Sequence, residues 1–305
     1  MEANRFRMAL LHPRYWLTWC GFGLMWLLVQ LPYSAIVPMA RALSVVLLRV
    51  ASSRRKIAAR NLELCFPEKN QQELGALLKE NFFSTTMALF ESAMSWFWPR
   101  RRLEKLFVLE GFEHIEAAEG RGVLLMGMHF TTLDIAGAFY NIHASSDAMY
   151  RPHKNPVYDF LQRRGRERHN SSSTMIHRRD VRGLVRALKK GKVVWYAPDQ
   201  DYGAKQSVFV PFFGVSAATV NATGTFARLG NALVIPFVPT RLADGSGYKV
   251  AIHSPLENFP TGDDVVDART VNATVEEHVQ LHPEQYLWAH KRFKTRPPGE
   301  ASLYN

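Results

Sequence analysis

His129 stands five positions before Asp134 in the segment Met-Gly-Met-His-Phe-Thr-Thr-Leu-Asp-Ile (126–135), directly after the apolar run Val123-Leu124-Leu125-Met126. An imidazole held by a carboxylate keeps one ring nitrogen protonated and leaves the other free to act as a base. A strand over the apolar run would deliver His129 to its carboxyl end. A turn would then open a helix, and Asp134 could fold back to one imidazole nitrogen. This is the orienting half of a triad without an enzyme nucleophile. The chain has no G-x-S-x-G elbow, and neither Cys20 nor Cys65 sits in a nucleophile context. A hydroxyl of the substrate would have to attack. The same spacing equally describes a strand-end histidine followed by an aspartate that caps a helix, so H-x4-D alone leaves both readings open.

The elements that must position these residues alternate in type. The pattern predicts a strand to Met128, a helix from Thr131, a strand at Ala148–Tyr150, a helix from Pro156 and a strand at Thr174–Ile176. Asp180 can cap a helix whose Val181, Leu184, Val185 and Leu188 form one stripe. Gly191 ends it, and a strand follows at Val193–Ala197. A helix Thr219–Leu229, a strand Leu233–Val238, a hairpin partner Tyr248–Ile252 and a helix Val265–Leu281 complete the series. Upstream, Asn70 and Glu73 have capping-box spacing at the start of a long helix running to about Trp98. The expectation is an α/β fold with a mixed, largely parallel sheet flanked by helices.

Ligands of such sheets gather beyond the carboxyl ends of the strands. His129 follows one strand, Tyr150-Arg151-Pro152 another, and Pro198-Asp199-Gln200-Asp201-Tyr202-Gly203 a third. Arg151 offers a planar donor fork suited to phosphate or carboxylate, or to a surface ion pair. Asp199 and Asp201 could hold a cation, but alternation without a third carboxylate is the commoner signature of a hydrogen-bonded turn, and no metal is expected.

The chain has 305 residues, is 47% hydrophobic and carries a formal charge of +11. It can build one large domain with an appendage, and it calls for an anionic partner: nucleic acid, membrane face, phosphorylated substrate or acidic protein. Two cysteines give neither a disulfide framework nor a zinc site. No charged residue occurs between Arg14 and Arg41, and Tyr15–Leu31 reads YWLTWCGFGLMWLLVQL. That stretch predicts a membrane anchor, although about 25 Å of helix falls short of a ~30 Å hydrocarbon core. Arg5, Arg7 and Arg14 precede it, while Arg41, Arg49, Arg54, Arg55, Lys56 and Arg60 follow. The larger basic cluster places the main domain in the cytosol, and charge on both flanks also permits a helix lying in the interface. Residues 1–50 are thus read as anchor and amphipathic segment, and 51–305 as the cytosol-facing α/β domain.

The order of H-x4-D, an arginine strand end, a Pro-acidic-Gly turn and Val234-Ile235-Pro236 resembles the four blocks of the glycerolipid acyltransferase superfamily. Longer strings narrow this: LLHPRYWLTW from Leu10, RNLELCFPE from Arg60, AMSWFWP from Ala93, YRPHKNP from Tyr150, APDQDYG from Ala197 and RFKTRP from Arg292. They resemble the late acyltransferases of lipid A (lipopolysaccharide) biosynthesis in Gram-negative bacteria, especially the lauroyl and palmitoleoyl transferases, over nearly the whole chain.

The resemblance implies transfer of a fatty acyl chain from acyl carrier protein, a phosphopantetheine thioester, to a hydroxyl of a 3-hydroxyacyl chain on Kdo2-lipid IVA. The setting would be the cytoplasmic face of the bacterial inner membrane, among its lipids, with no bound cofactor and no nucleic-acid partner. By carry-over His129 is the general base and Asp134 its orienting carboxylate, where close relatives commonly have glutamate. Arg151 would bind an acceptor or pantetheine phosphate, and Asp199 with Gln200 would shape the acceptor-sugar side. Arg163, Arg164 and Arg166, with the helix face Arg182, Arg186, Lys189 and Lys190, could receive carrier protein or lipid headgroups, or form a solvated face. Two alternatives stay open: the same chemistry on glycerol phosphate or a lysophospholipid, and a noncatalytic, membrane-tethered basic binding protein.

Overall fold

A computed structural model describes residues 6–304 of the chain. The central strand is β2, Val123–Gly127, buried on both faces as expected for an apolar run in the middle of a parallel sheet. Its neighbours are β5 (Val193–Tyr196) and β8 (Leu233–Arg241), both parallel to it. Beyond β5 lie β3 (Asp147–Tyr150) and β4 (Met175–His177), again parallel. Beyond β8, the antiparallel β9 (Tyr248–Ile252) and then β1 (Phe107–Glu110) close the seven-stranded order β1-β9-β8-β2-β5-β3-β4. The architecture is therefore mixed α/β with a largely parallel sheet.

Alternation along β2 sorts the two cores. Leu124 and Met126 enter a cluster that includes Leu184 and Leu188 of α9 (Val181–Lys189), Phe226 of α10 (Ala222–Gly230) and Val271, Val275 and Val279 of α11 (Asp264–Leu281). Val123 and Leu125 face Ala136, Phe139 and Tyr140 of α7 (Leu133–His143) on the other side. The long helix α4, Gln71–Phe97, begins at the anticipated capping box. The Asn70 side chain accepts from Glu73 N at 3.0 Å, and the Glu73 carboxylate accepts from Asn70 N at 2.8 Å.

One element departs from the sequence reading. Thr219 and Val220 end a strand, β7 (Val215–Val220), which pairs antiparallel with β6 (Ser207–Phe212), and the next helix starts only at Ala222. The hairpin turns on Phe213 and Gly214, both at positive φ, which suits the two-residue connection of twisted strands.

The N-terminal apolar region forms two helices, matching its division into an apolar and an amphipathic stretch. α1 covers Trp16–Leu28, and α2 covers Tyr33–Val50 with Pro38 inside it. Among the described residues, the one helix long and apolar enough to cross a membrane, by length and composition, is α2, not Tyr15–Leu31. Arg5, counted above among the flanking cations, lies outside the described residues. α3 (Ser52–Cys65) then leads to α4, the short α5 (Arg100–Glu104) and α6 (Glu113–Glu116) flank β1, and α8 (Pro156–Glu167) follows β3.

Candidate active site

The register of β2 on β5 sets Met126 opposite Tyr196. Three residues further along each strand, His129 and Asp199 leave the sheet side by side. Asp199 Oδ1 lies 2.6 Å from His129 Nδ1, and Asp199 Oδ2 accepts the His129 backbone N–H at 2.8 Å. The carboxylate is 2% exposed. Burial alone would raise its pKa, but the charge and hydrogen bonds of His129 outweigh that and hold it down to about 2. An ionised carboxylate only accepts hydrogen bonds, so Nδ1 carries the proton and Nε2 is left with its lone pair. The imidazole keeps one-fifth of its surface open, enough for a reactant to reach it.

Asp134 does not take the position the spacing suggested. It lies in the first turn of α7, which turns its side chain toward α4 and α8. There Oδ1 accepts from Arg166 at 3.0 and 2.6 Å, and Oδ2 accepts from Ser92 at 2.8 Å. Arg166 consequently points inward and is only partly exposed. Of the three arginines in that run, Arg164 is exposed, while Arg163 lies over Tyr150 and near Glu167.

Asp199 is likewise taken up by the imidazole rather than open to a sugar. Gln200 is half-buried beside it, and Arg151 is exposed at the end of β3 with no ion pair among the described residues. Asp201 accepts from Gly203 N, Thr295 N and Thr295 Oγ1 at 2.8, 2.6 and 2.8 Å, which fixes the turn. His290 accepts from Asp201 N at 3.1 Å. Burial first, and then the nearby His129, push its pKa down to about 4, so it stays a neutral acceptor.

The loop bearing His129 is clamped from above by residues 284–288. Leu287 N donates to His129 O at 3.0 Å, and Thr131 N donates to Gln285 O at 2.8 Å. Asn81 of α4 holds the carbonyls of Glu284 and Tyr286 at 3.0 and 2.7 Å. The Gln285 side chain is anchored on both main-chain groups of Arg241, at 2.7 and 3.0 Å. Arg241, at the end of β8, is itself held by the buried Glu91 of α4 at 2.9 and 2.6 Å and by Ser84 Oγ at 2.9 Å. None of Glu91, Ser84, Arg241 and Gln285 was marked by a motif. A charged pair inside an otherwise apolar helix and strand was the available signal.

Beneath the histidine, Trp195 of β5 sets its ring edge-on to the imidazole, with centroids 6.5 Å apart. It packs so closely under β2 that a Cβ at Gly127 would sit 2.3 Å from the indole, so only glycine fits there. Trp195 also lines a cavity of about 60 Å³ between the sheet and α7. Leu125, Phe237, Gly137, Ala138 and Met149 give that cavity an apolar wall, and the Asp134–Arg166 pair gives it a charged one.

The candidate site thus sets an oriented imidazole at a strand end, with Trp195 between it and an apolar cavity. Comparison with known proteins agrees in kind. The family described as bacterial lipid A biosynthesis acyltransferase matches residues 3–295. The lipid A biosynthesis lauroyltransferase of Escherichia coli (strain K12) is 47% identical over 98% of both chains, and its palmitoleoyltransferase is 45% identical over the same shares. The myristoyltransferase of that organism is 30% identical over 96% of this chain and 91% of its own. Among solved structures, the 1-acyl-sn-glycerophosphate acyltransferase of Thermotoga maritima aligns with 81% of this chain and 95% of its own, at 13% identity and a TM-score of 0.37. The chain belongs to the bacterial lipid A biosynthesis acyltransferase family and is an acyltransferase.

Proposed function

We propose that the chain transfers a fatty acyl group from an acyl carrier protein thioester to a hydroxyl of a 3-hydroxyacyl chain on Kdo2-lipid IVA, at the cytoplasmic face of the inner membrane. The observation that carries this reading is the His129–Asp199 pair, which leaves Nε2 as an accessible base with no enzyme nucleophile beside it. The chain's similarity to the lauroyl and palmitoleoyl transferases of lipid A biosynthesis supplies the acceptor class.

In this mechanism His129 Nε2 takes the proton of the acceptor hydroxyl as its oxygen attacks the thioester carbonyl. The tetrahedral intermediate collapses with cleavage of the C–S bond, and the imidazolium returns the proton to the departing thiolate. Asp199 remains a carboxylate throughout and stabilises the imidazolium. General-base assistance accounts for a factor of ~10^2 to 10^4, and stabilisation of the oxyanion must supply much of the rest. The N-terminal end of α7, whose first turn follows the His129 loop, lends partial positive charge. The Thr131 amide is not a donor to it, being already bonded to Gln285.

The cavity under Trp195 is the natural seat for the acyl tail. Its volume of about 60 Å³ is room for a handful of water molecules, each needing roughly 10–15 Å³. A fatty chain therefore enters only as the wall opens, with Trp195 and Met149 best placed to move. Arg151 is suited to a phosphate of acceptor or pantetheine. The exposed cations Arg182, Arg186, Lys189 and Lys190 of α9 and its C-cap form one basic face for an acidic carrier protein. Asp134 with Arg166 acts as a positioning pair on the cavity wall.

The test is mass spectrometry of Kdo2-lipid IVA after incubation with the purified chain and a panel of acyl carrier protein thioesters. The expected result is a mass gain of one acyl chain from one donor in clear preference. Acylation of glycerol phosphate or a lysophospholipid instead, or of no acceptor, would contradict the reading.

A further inference from the structure

We infer that α1 and α2 lie side-on in one leaflet of an anionic membrane, and that the chain before α1 stays on the same side as the catalytic domain. The thirteen residues of α1 reach about 20 Å, against a hydrocarbon core of ~30 Å. Length is the weaker half of the argument, because both ends of the helix are fastened to the same body. Before α1, Phe6 meets Phe160 of α8 edge-on at 5.9 Å. Within α1, Thr18 Oγ1 accepts from Asn155, the residue that caps α8, at 2.9 Å. At the far end Val29 is fully buried, and its carbonyl accepts from Trp98 Nε1 at 2.5 Å and from Arg102 at 3.2 Å. A helix tied at both ends to one domain cannot carry its N-terminal side to the opposite face of a bilayer.

α2 is held along its length. Ile36, Ala40 and Ser44 form a stripe four residues apart that is buried against α4. Arg41 pairs with Glu80 at 2.6 Å and lies over the Phe83 ring at 3.7 Å. Val29, Ile36 and Ala40 share a core with Met87, Met94 and Ile135, so spanning would require tearing α2 from the domain.

What remains exposed is apolar. Leu17 is 86% exposed and Trp16 61%, and Leu24, Leu27, Val45, Val46 and Val50 join them. The occupant is identified by charge. No carboxylate occurs between Glu2 and Glu63, whereas Arg7, Arg14, Arg41, Arg49, Arg54, Arg55, Lys56 and Arg60 all fall in that interval. An apolar face framed by cations, with no acidic residue on α1 or α2 themselves, fits anionic headgroups over acyl chains, the signature of an interfacial helix.

The experiment uses the full chain with one epitope at each end, in sealed inner-membrane vesicles of both orientations, followed by protease. Both epitopes should be cut from the same side and in the same vesicle population. Protection of the N-terminal epitope where the C-terminal one is cut would overturn the proposal. In parallel, the chain should float with vesicles of phosphatidylethanolamine and phosphatidylglycerol, and Leu17→Asp with Val46→Asp should lower that recovery several-fold. Flotation unchanged in this variant would equally overturn it. Neither readout depends on acyl transfer, so failure here and failure of the enzymatic reading are distinguishable.

Discussion

Asp199→Asn should lower acyl transfer by ~10^2 to 10^4 while leaving the fold in place, by analogy with the best-studied catalytic triad. The two carboxylate oxygens each accept an N–H of the same residue, one from the backbone and one from the ring of His129. An asparagine has one acceptor oxygen. If that oxygen keeps the backbone amide, its NH2 faces Nδ1, which must then become an acceptor, and the ring proton moves to Nε2, where the base should be. If the amide is flipped, its NH2 opposes the backbone N–H. The first arrangement disables the base without removing it; the second keeps the tautomer but breaks the backbone bond that places the ring. Because the Asp199 pKa is held at about 2, the carboxylate stays ionised through the neutral range, and an acid limb of the wild-type rate profile does not belong to it. The corresponding stability is present above the ordinary carboxylate range and is lost as pH falls through about 2. Turnover and its pH dependence in the variant are the check, and wild-type turnover would remove Asp199 from the orienting role.

Glu91→Ala should cost about 3–5 kcal/mol of stability, because it leaves the Arg241 guanidinium buried without its counter-charge. Glu91 is 1% exposed and Arg241 8%. Burial works against the Arg241 charge, and Glu91 outweighs it. The damage would reach the loop that carries His129, since Arg241 anchors Gln285, whose carbonyl holds Thr131. Replacing both partners by apolar residues of similar size, Glu91→Leu with Arg241→Met, should recover much of the loss, since no charge is then stranded. Denaturation in detergent measures both. A loss below about 1 kcal/mol for Glu91→Ala would mean the pair is solvated rather than buried.

The residues proposed to do chemistry were more legible in the sequence than their pairing. His129 at the end of an apolar run needed only the strand to be recognised, and the long strings such as APDQDYG carried the family. The partner of His129 depended on which strand lies beside β2, which local sequence does not contain. Once β5 is its neighbour in register, residues 129 and 199 stand at equal distances from a paired Met126 and Tyr196. Asp134 was misplaced because H-x4-D fixes a distance along the chain but not the direction in which the first turn of α7 faces. Arg166 was read as surface because α8 is rich in arginine, and only its neighbours show which of them turns inward. The β6–β7 hairpin was obscured because an apolar run ending in Thr219-Val220 reads equally well as the start of the helix after it. The Phe213–Gly214 turn was the available signal. At the N-terminus the break at Gln30 and Pro32 was legible, but the anchor was assigned to Tyr15–Leu31, whereas the longer apolar helix is the amphipathic α2 after it.

The most direct test of the account is the single-turnover rate of acyl transfer to Kdo2-lipid IVA by His129→Ala beside the wild-type chain, with thermal unfolding of both recorded. Loss of the base should lower the rate by ~10^2 to 10^4, with unfolding little changed because the ring's Nε2 bonds to no described residue. A folded variant that transfers acyl chains at the wild-type rate would contradict the account, and the chemistry would have to lie elsewhere in the chain.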